Sequence, residues 1–179
     1  MKKTKKIIMW SIIATLTIII AILGYFLYKK NNEVELASRN LYNSNFYELV
    51  NYVQNVETYL AKSTISESST HSAETLTHLW REANLAQTYL ASLPIESQEL
   101  EKTEKFLNQV SDYSYTLSRK NIKGTDLNEE ELKNLEELHN YSTELKNVLN
   151  QLATDLEQGA ISWKDLKSNG NEEFVQAVS

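Results

Sequence analysis

The 179 residues include 24 acidic and 18 basic side chains, four glycines, one proline and no cysteine. The missing cysteine excludes a disulfide framework and thiolate chemistry, and a chain so poor in breakers and rich in Leu, Glu, Asn and Lys reads as mostly helix. The charge is segregated: residues 1–30 hold six lysines and no acid, so the formal −6 divides into +6 there and −12 on the rest. An acidic domain repels phosphate backbones, which argues against nucleic acid as a partner.

Lys2, Lys3, Lys5 and Lys6 make residues 1–6 a basic N-terminus, followed by 21 residues without a charge, Ile7–Leu27. As a helix such a run spans about 32 Å, enough for a hydrocarbon core. Lys29 and Lys30 come next, with Glu33 and Glu35 close behind. The heavier positive flank stays in the cytoplasm, so the chain reads as a single-pass anchor over 7–28 with its bulk outside. Trp10, Tyr25 and Tyr28 sit near the ends of the run, where aromatic rings favour the headgroups. The rival reading is a cleaved signal peptide. Its apolar region is usually about 7–15 residues and ends in small residues. This run is longer, and Ala21-Ile22-Leu23-Gly24-Tyr25 is a poor cleavage site.

The outer part, 29–166, reads as about four amphipathic helices. In the first, Phe46, Leu49, Val53, Val56 and Leu60 recur at intervals of three and four, on one stripe. No breaker interrupts Glu33–Asn45, so this helix is expected to run straight out of the membrane and end before a Ser/Thr-rich loop, 63–72. The second covers about 72–93 through Leu76, Leu79, Ala83, Ala86, Leu90 and Leu93, and Pro94 stops it. The third covers about 97–120 through Leu100, Thr103, Leu107, Val110 and Leu117, with Phe106 and Tyr113 beside the stripe. The fourth starts at Asn128, a good N-cap with Glu131 three residues on. It carries Leu132, Leu135, Leu138, Ser142, Leu145, Leu149, Leu152 and Leu156, and Gly159 suits its end. A short turn over 161–166, capped by Ser162 and Asp165, precedes a tail, 167–179, expected to be unpacked. The fold class is all-α: a transmembrane helix followed by an antiparallel helix bundle. Heptad-like spacing also leaves homo-oligomerisation open.

Convergent polar groups for catalysis are scarce. Glu136 and His139 form one Glu-x-x-His pair, where di-iron bundles use two with further carboxylates. Glu74, His78 and Glu82 lie four apart, a spacing that serves metal ligands and surface i,i+4 partners alike. Neither a Gly-x-Ser-x-Gly elbow nor a phosphate-binding glycine loop is present. The chain reads as a non-enzyme with no implied cofactor. Its ten tyrosines are its least ordinary feature; Tyr42, Tyr47, Tyr52, Tyr59, Tyr113, Tyr115 and Tyr141 are expected to flank the core, and some to form a docking surface. Trp80 adjoins Leu79 and is one turn from Leu76 and Ala83, so it is expected to be at least partly buried, near the bundle centre. Trp80, Arg81, Tyr113, Tyr115 and Trp163 are the candidate interface or core residues.

Three strings carry a resemblance: NFYELV at 45–50, LWREAN at 79–84 and FLNQVSDYSY at 106–115. Together with the order of basic N-terminus, anchor, helical domain and ISW at 161–163, they resemble the N-terminal region of YpeB-type spore germination proteins. The resemblance implies a place at the spore inner membrane and a role in the stable presence of SleB, a cortex-lytic transglycosylase, and so in cortex breakdown. It also implies C-terminal PepSY repeats, for which these 179 residues leave no room. It supplies no catalytic residues. The competing reading is a membrane-tethered helical-bundle sensor for a small ligand, although such receptors normally add a second span and a cytoplasmic output.

The stripes pair among themselves, so residues 31–179 are expected to fold as helix without the anchor. Circular dichroism of that fragment checks this; a largely unordered spectrum would refute it.

Overall fold

A computed structural model describes residues 2–65, 68–95 and 98–168, with the side chains of 2–9, 11–14, 69, 98, 99 and 168 left out. It contains five helices: α1 (Lys2–Thr64), α2 (Ser69–Leu90), α3 (Gln98–Ile122), α4 (Glu129–Gln158) and α5 (Trp163–Ser168). The chain divides into two compact units, Met1–Leu41 and Tyr42–Ser179. The first contains one helical segment; the second contains the rest of α1 and all the other helices.

In the first unit the apolar run lies within α1, as the absence of breakers implies. Among the described residues no helix is long and apolar enough to cross a membrane. The side chains of 7–9 and 11–14, part of the apolar run, lie outside them, so the anchor expected over 7–28 rests on the sequence pattern.

In the second unit the stripes become the core. Phe46, Leu49, Val53, Val56 and Leu60 of α1 are buried with Leu76, Leu79, Ala83, Ala86 and Leu90 of α2, Leu107, Val110 and Leu117 of α3, and Leu135, Leu145, Leu149 and Leu152 of α4. Leu100, Leu138 and Leu156 pack half-buried around them. Polar and ring contacts give the order of the helices. Tyr52 stacks on Tyr89 and Tyr59 on His78, joining α1 to α2. Asn84 donates to the Ser111 hydroxyl and Asn121 to that of Ser72, joining α2 to α3. Phe106 packs on Tyr141 and Lys120 pairs with Glu131, joining α3 to α4. Tyr47 donates to Glu157 and Lys146 pairs with Glu57, closing α4 on α1. In every pair one number rises as the other falls, so neighbours are antiparallel and the bundle is up-down-up-down. Short connections favour that topology.

The ends follow local chemistry. The α2 N-terminus lies earlier than the apolar pattern suggests, because Ser68 caps it by accepting from the His71 amide. At α4 the expected capping box is complete: Asn128 accepts from the Glu131 amide and Glu131 from the Asn128 amide. Gly159 ends α4 at φ 70°, left-handed backbone that glycine adopts without steric cost. The expected turn over 161–166 is α5, which extends through Lys167 and Ser168; the rest of the expected tail, from 169, lies outside the described residues. Ile95, Trp163 and Leu166 are core members that the stripes do not include.

Burial pushes the Glu131 carboxyl up, but hydrogen bonds from Lys120 and the Asn128 amide, with the Lys120 charge, hold it below the usual range. A depressed pKa contributes stability above the unfolded pKa, and that contribution is lost as pH falls through the folded one. Glu131→Gln is therefore expected to cost about 1 kcal/mol at neutral pH. Urea unfolding followed across the acid range should show variant and parent converging.

Candidate functional site

The structure disperses the residues singled out in the sequence over several faces of the bundle. The expectation for Trp80 is met only in part. Leu79 takes the central position, fully buried, while Trp80 is 39% exposed. One residue along a helix is a rotation of about 100°, which carries the indole off the stripe. It lies at 5.6 Å from the ring of Tyr115, itself 49% exposed, as an aromatic ledge on the α2–α3 side. Trp163 is buried: its ring packs on Phe46 and Tyr42, and its indole N–H donates to the Asn43 side chain.

Arg81 is exposed and acts through Glu82. Its Nε and Nη2 donate to Glu82 Oε1 at 3.0 and 2.7 Å, and these bonds with the carboxylate charge raise the guanidinium pKa. Glu82 is 4% exposed and accepts a third hydrogen bond, at 2.9 Å, from Asn55 of α1. A buried carboxylate needs such partners to offset its lost hydration. The sequence holds a signal for this: Glu82 lies three residues after Leu79 and four before Ala86, on the stripe itself. It is therefore not a ligand shared with Glu74 and His78. Glu74 is exposed, and His78 stacks on Tyr59 with ring centroids 5.3 Å apart. His139 faces Glu57 of α1 at 3.5 Å, while Glu136 is exposed. Among the described residues no three His, Asp or Glu side chains are grouped to hold a metal.

The tyrosines divide. Tyr42, Tyr52, Tyr59, Tyr113 and Tyr141 flank the core half-buried, as expected, and Tyr47 and Tyr115 are exposed. Burial raises the Tyr52 pKa, with nearby negative charge adding to it. Tyr113 and Tyr141 line an open groove of about 880 Å³ between α3 and α4. Phe106, Leu138 and the two tyrosines form its floor, with Lys105, Asp112 and Glu137 also along it. The Tyr113 hydroxyl accepts from Asn134 at 3.3 Å, tying the two walls together. Mixed charges around aromatic rings suit a polypeptide segment, since Tyr is enriched where proteins dock. Of the sequence candidates only Tyr113 lines it.

Leu79→Ala is expected to cost about 2–5 kcal/mol, and Trp80→Ala distinctly less than the roughly 3–5 kcal/mol of a fully buried ring. Urea midpoints of the two variants check the order; equal losses would put the indole in the core.

The chain is similar to three curated proteins named sporulation protein YpeB. That of Oceanobacillus iheyensis is 26% identical over 171 residues, covering 93% of this chain and 38% of the relative. That of Halalkalibacterium halodurans is 27% identical over 166 residues, covering 91% and 36%. That of Bacillus subtilis is 26% identical over 159 residues, covering 87% and 35%. The chain thus spans little more than a third of the length of these relatives. No solved structure matches it. The family model described as YpeB N-terminal matches residues 30–165, which is the bundle from the end of the apolar run to α5, and the chain belongs to that family.

Proposed function

We propose that this chain is a non-enzymatic, membrane-anchored protein of spore germination. It holds a cortex-lytic transglycosylase of the SleB type at the outer face of the spore inner membrane. The observation that carries this reading is the family match over 30–165, which covers the whole bundle. The apolar run Ile7–Leu27 behind four lysines supplies the anchor. The fold supplies a rigid support. Its charged groups in the helix interfaces, Glu82 and Glu57, each meet a structural partner, and the groove between α3 and α4 offers a partner a Tyr-lined surface. An anchored binder raises its partner's effective concentration and can cover segments open to proteolysis. The same groove is large enough for a small molecule, which favours the sensor reading as the alternative. A thermal shift produced by a low-molecular-weight spore extract would distinguish it.

Deleting residues 31–179 is expected to deplete the hydrolase from dormant spores, as read by immunoblot. Normal abundance would refute the holding role. Muralytic activity of the purified bundle would overturn the non-enzymatic reading.

A further inference from the structure

Among the described residues the unit Met1–Leu41 contains one helical segment, and a lone helix has no second element of its own unit against which to bury an apolar stripe. It nevertheless carries one. Ile20, Leu27, Val34 and Leu41 recur at intervals of seven and are 56–69% exposed. A residue every seven stays on one face of an α-helix over this length, drifting by only about 20° per repeat. Four residues after the first three lie Gly24, Asn31 and Ser38, a second line of small or polar side chains alongside. A Cβ built on Gly24 meets nothing within 4 Å.

We infer that the segment 20–41 of α1 is a parallel coiled-coil seam that pairs this chain with a second copy of itself. With Ile20, Leu27, Val34 and Leu41 at d, the a positions are Gly24, Asn31 and Ser38. A polar Asn at one a position fixes register and strand number at a cost in stability. In this frame Lys30 is at g and Glu35 at the following e, the two positions that meet across a parallel dimer. Each copy therefore presents a cation to the other's carboxylate, twice by symmetry. In an antiparallel arrangement g faces g and e faces e, so this complementarity is lost. The intrachain pair Lys29–Glu33, at 4.0 Å, lies at f and c, away from the seam. Leu36 is also at f, exposed like the stripe but facing the opposite way. The stripe stops at Leu41, where the spacing shifts to the set starting at Phe46 that the bundle buries for itself. The common direction of the two chains agrees with the anchored reading proposed above, since two anchors in one membrane with the same orientation are parallel.

The chain has no cysteine, so a single introduced thiol reports its own pairing. Val34→Cys, Leu41→Cys and Leu36→Cys in the full chain, in detergent micelles, are oxidised mildly and run without reductant. Val34→Cys and Leu41→Cys are expected to form disulfide dimers at least fivefold faster than Leu36→Cys. Lys30→Glu in the Val34→Cys background should slow dimer formation, and adding Glu35→Lys should restore it. Circular dichroism checks that each variant keeps the parent's helix content. Equal rates at all three positions would overturn the seam. So would cross-linking only between Val34→Cys and Leu41→Cys mixed together, the signature of antiparallel pairing. Protease protection in liposomes tests the anchor separately: dimers with no protected segment would remove the anchor and leave the seam.

Discussion

Every helix of the second unit carries an apolar stripe that it cannot bury alone, and this constraint determines the arrangement. With short connections, consecutive helices can only turn back on each other. The stripes of α1 to α3 would still leave one side open, and α4 closes the ring against α1. That closure is made by leucines inside and by two polar links at the edge, Tyr47 to Glu157 and Lys146 to Glu57. Removing the contact between α1 and α4 would expose both stripes to water, which is why the fold depends on these long-range contacts.

Apolar stripes specify which faces meet far better than the level at which they meet. The polar groups supply the level. Glu82, buried between α1 and α2, is satisfied only where Asn55 stands opposite and Arg81 folds back over it. A slide by one turn would take Asn55 away and leave the buried carboxylate with Arg81 alone, a loss of about 1–3 kcal/mol. Asn84 with Ser111, and Asn121 with Ser72, do the same between α2 and α3 with weaker groups. Trp163 closes one end of the core by lying on Phe46 and Tyr42.

A bundle fixed in this way would suit the proposed holding role more than a switching one. Its charged groups in the helix interfaces, Glu82 and Glu57, are committed to neighbours, and its less committed aromatic surface is gathered in the α3–α4 groove and the Trp80–Tyr115 ledge. The proposed anchor and seam would add location and copy number to that surface. Two bundles held side by side bind a partner with more than one site by a second, intramolecular step.

The all-helical class, the number of long helices and nearly every core leucine were legible in the residues, because a 3.6-residue period is a local property that survives in any environment. The caps at Asn128 and Gly159 were legible for the same reason, since each acts within a few residues. The family was legible too, from three strings that lie on α1, α2 and α3. What folding in three dimensions alone decided was how the same residue types divide between core and surface. Trp80 and Trp163 are alike in composition and both sit beside apolar residues, yet one is a surface ledge and the other an end of the core. A spacing of four groups Glu82 with Glu74 and His78 in the sequence, but the packing of α1 buries it and gives it Asn55. The α3–α4 groove has no sequence signature, because its lining comes from two helices that only folding brings together. Spacing along a helix fixes direction around its axis; which direction is covered depends on residues as many as 120 positions away.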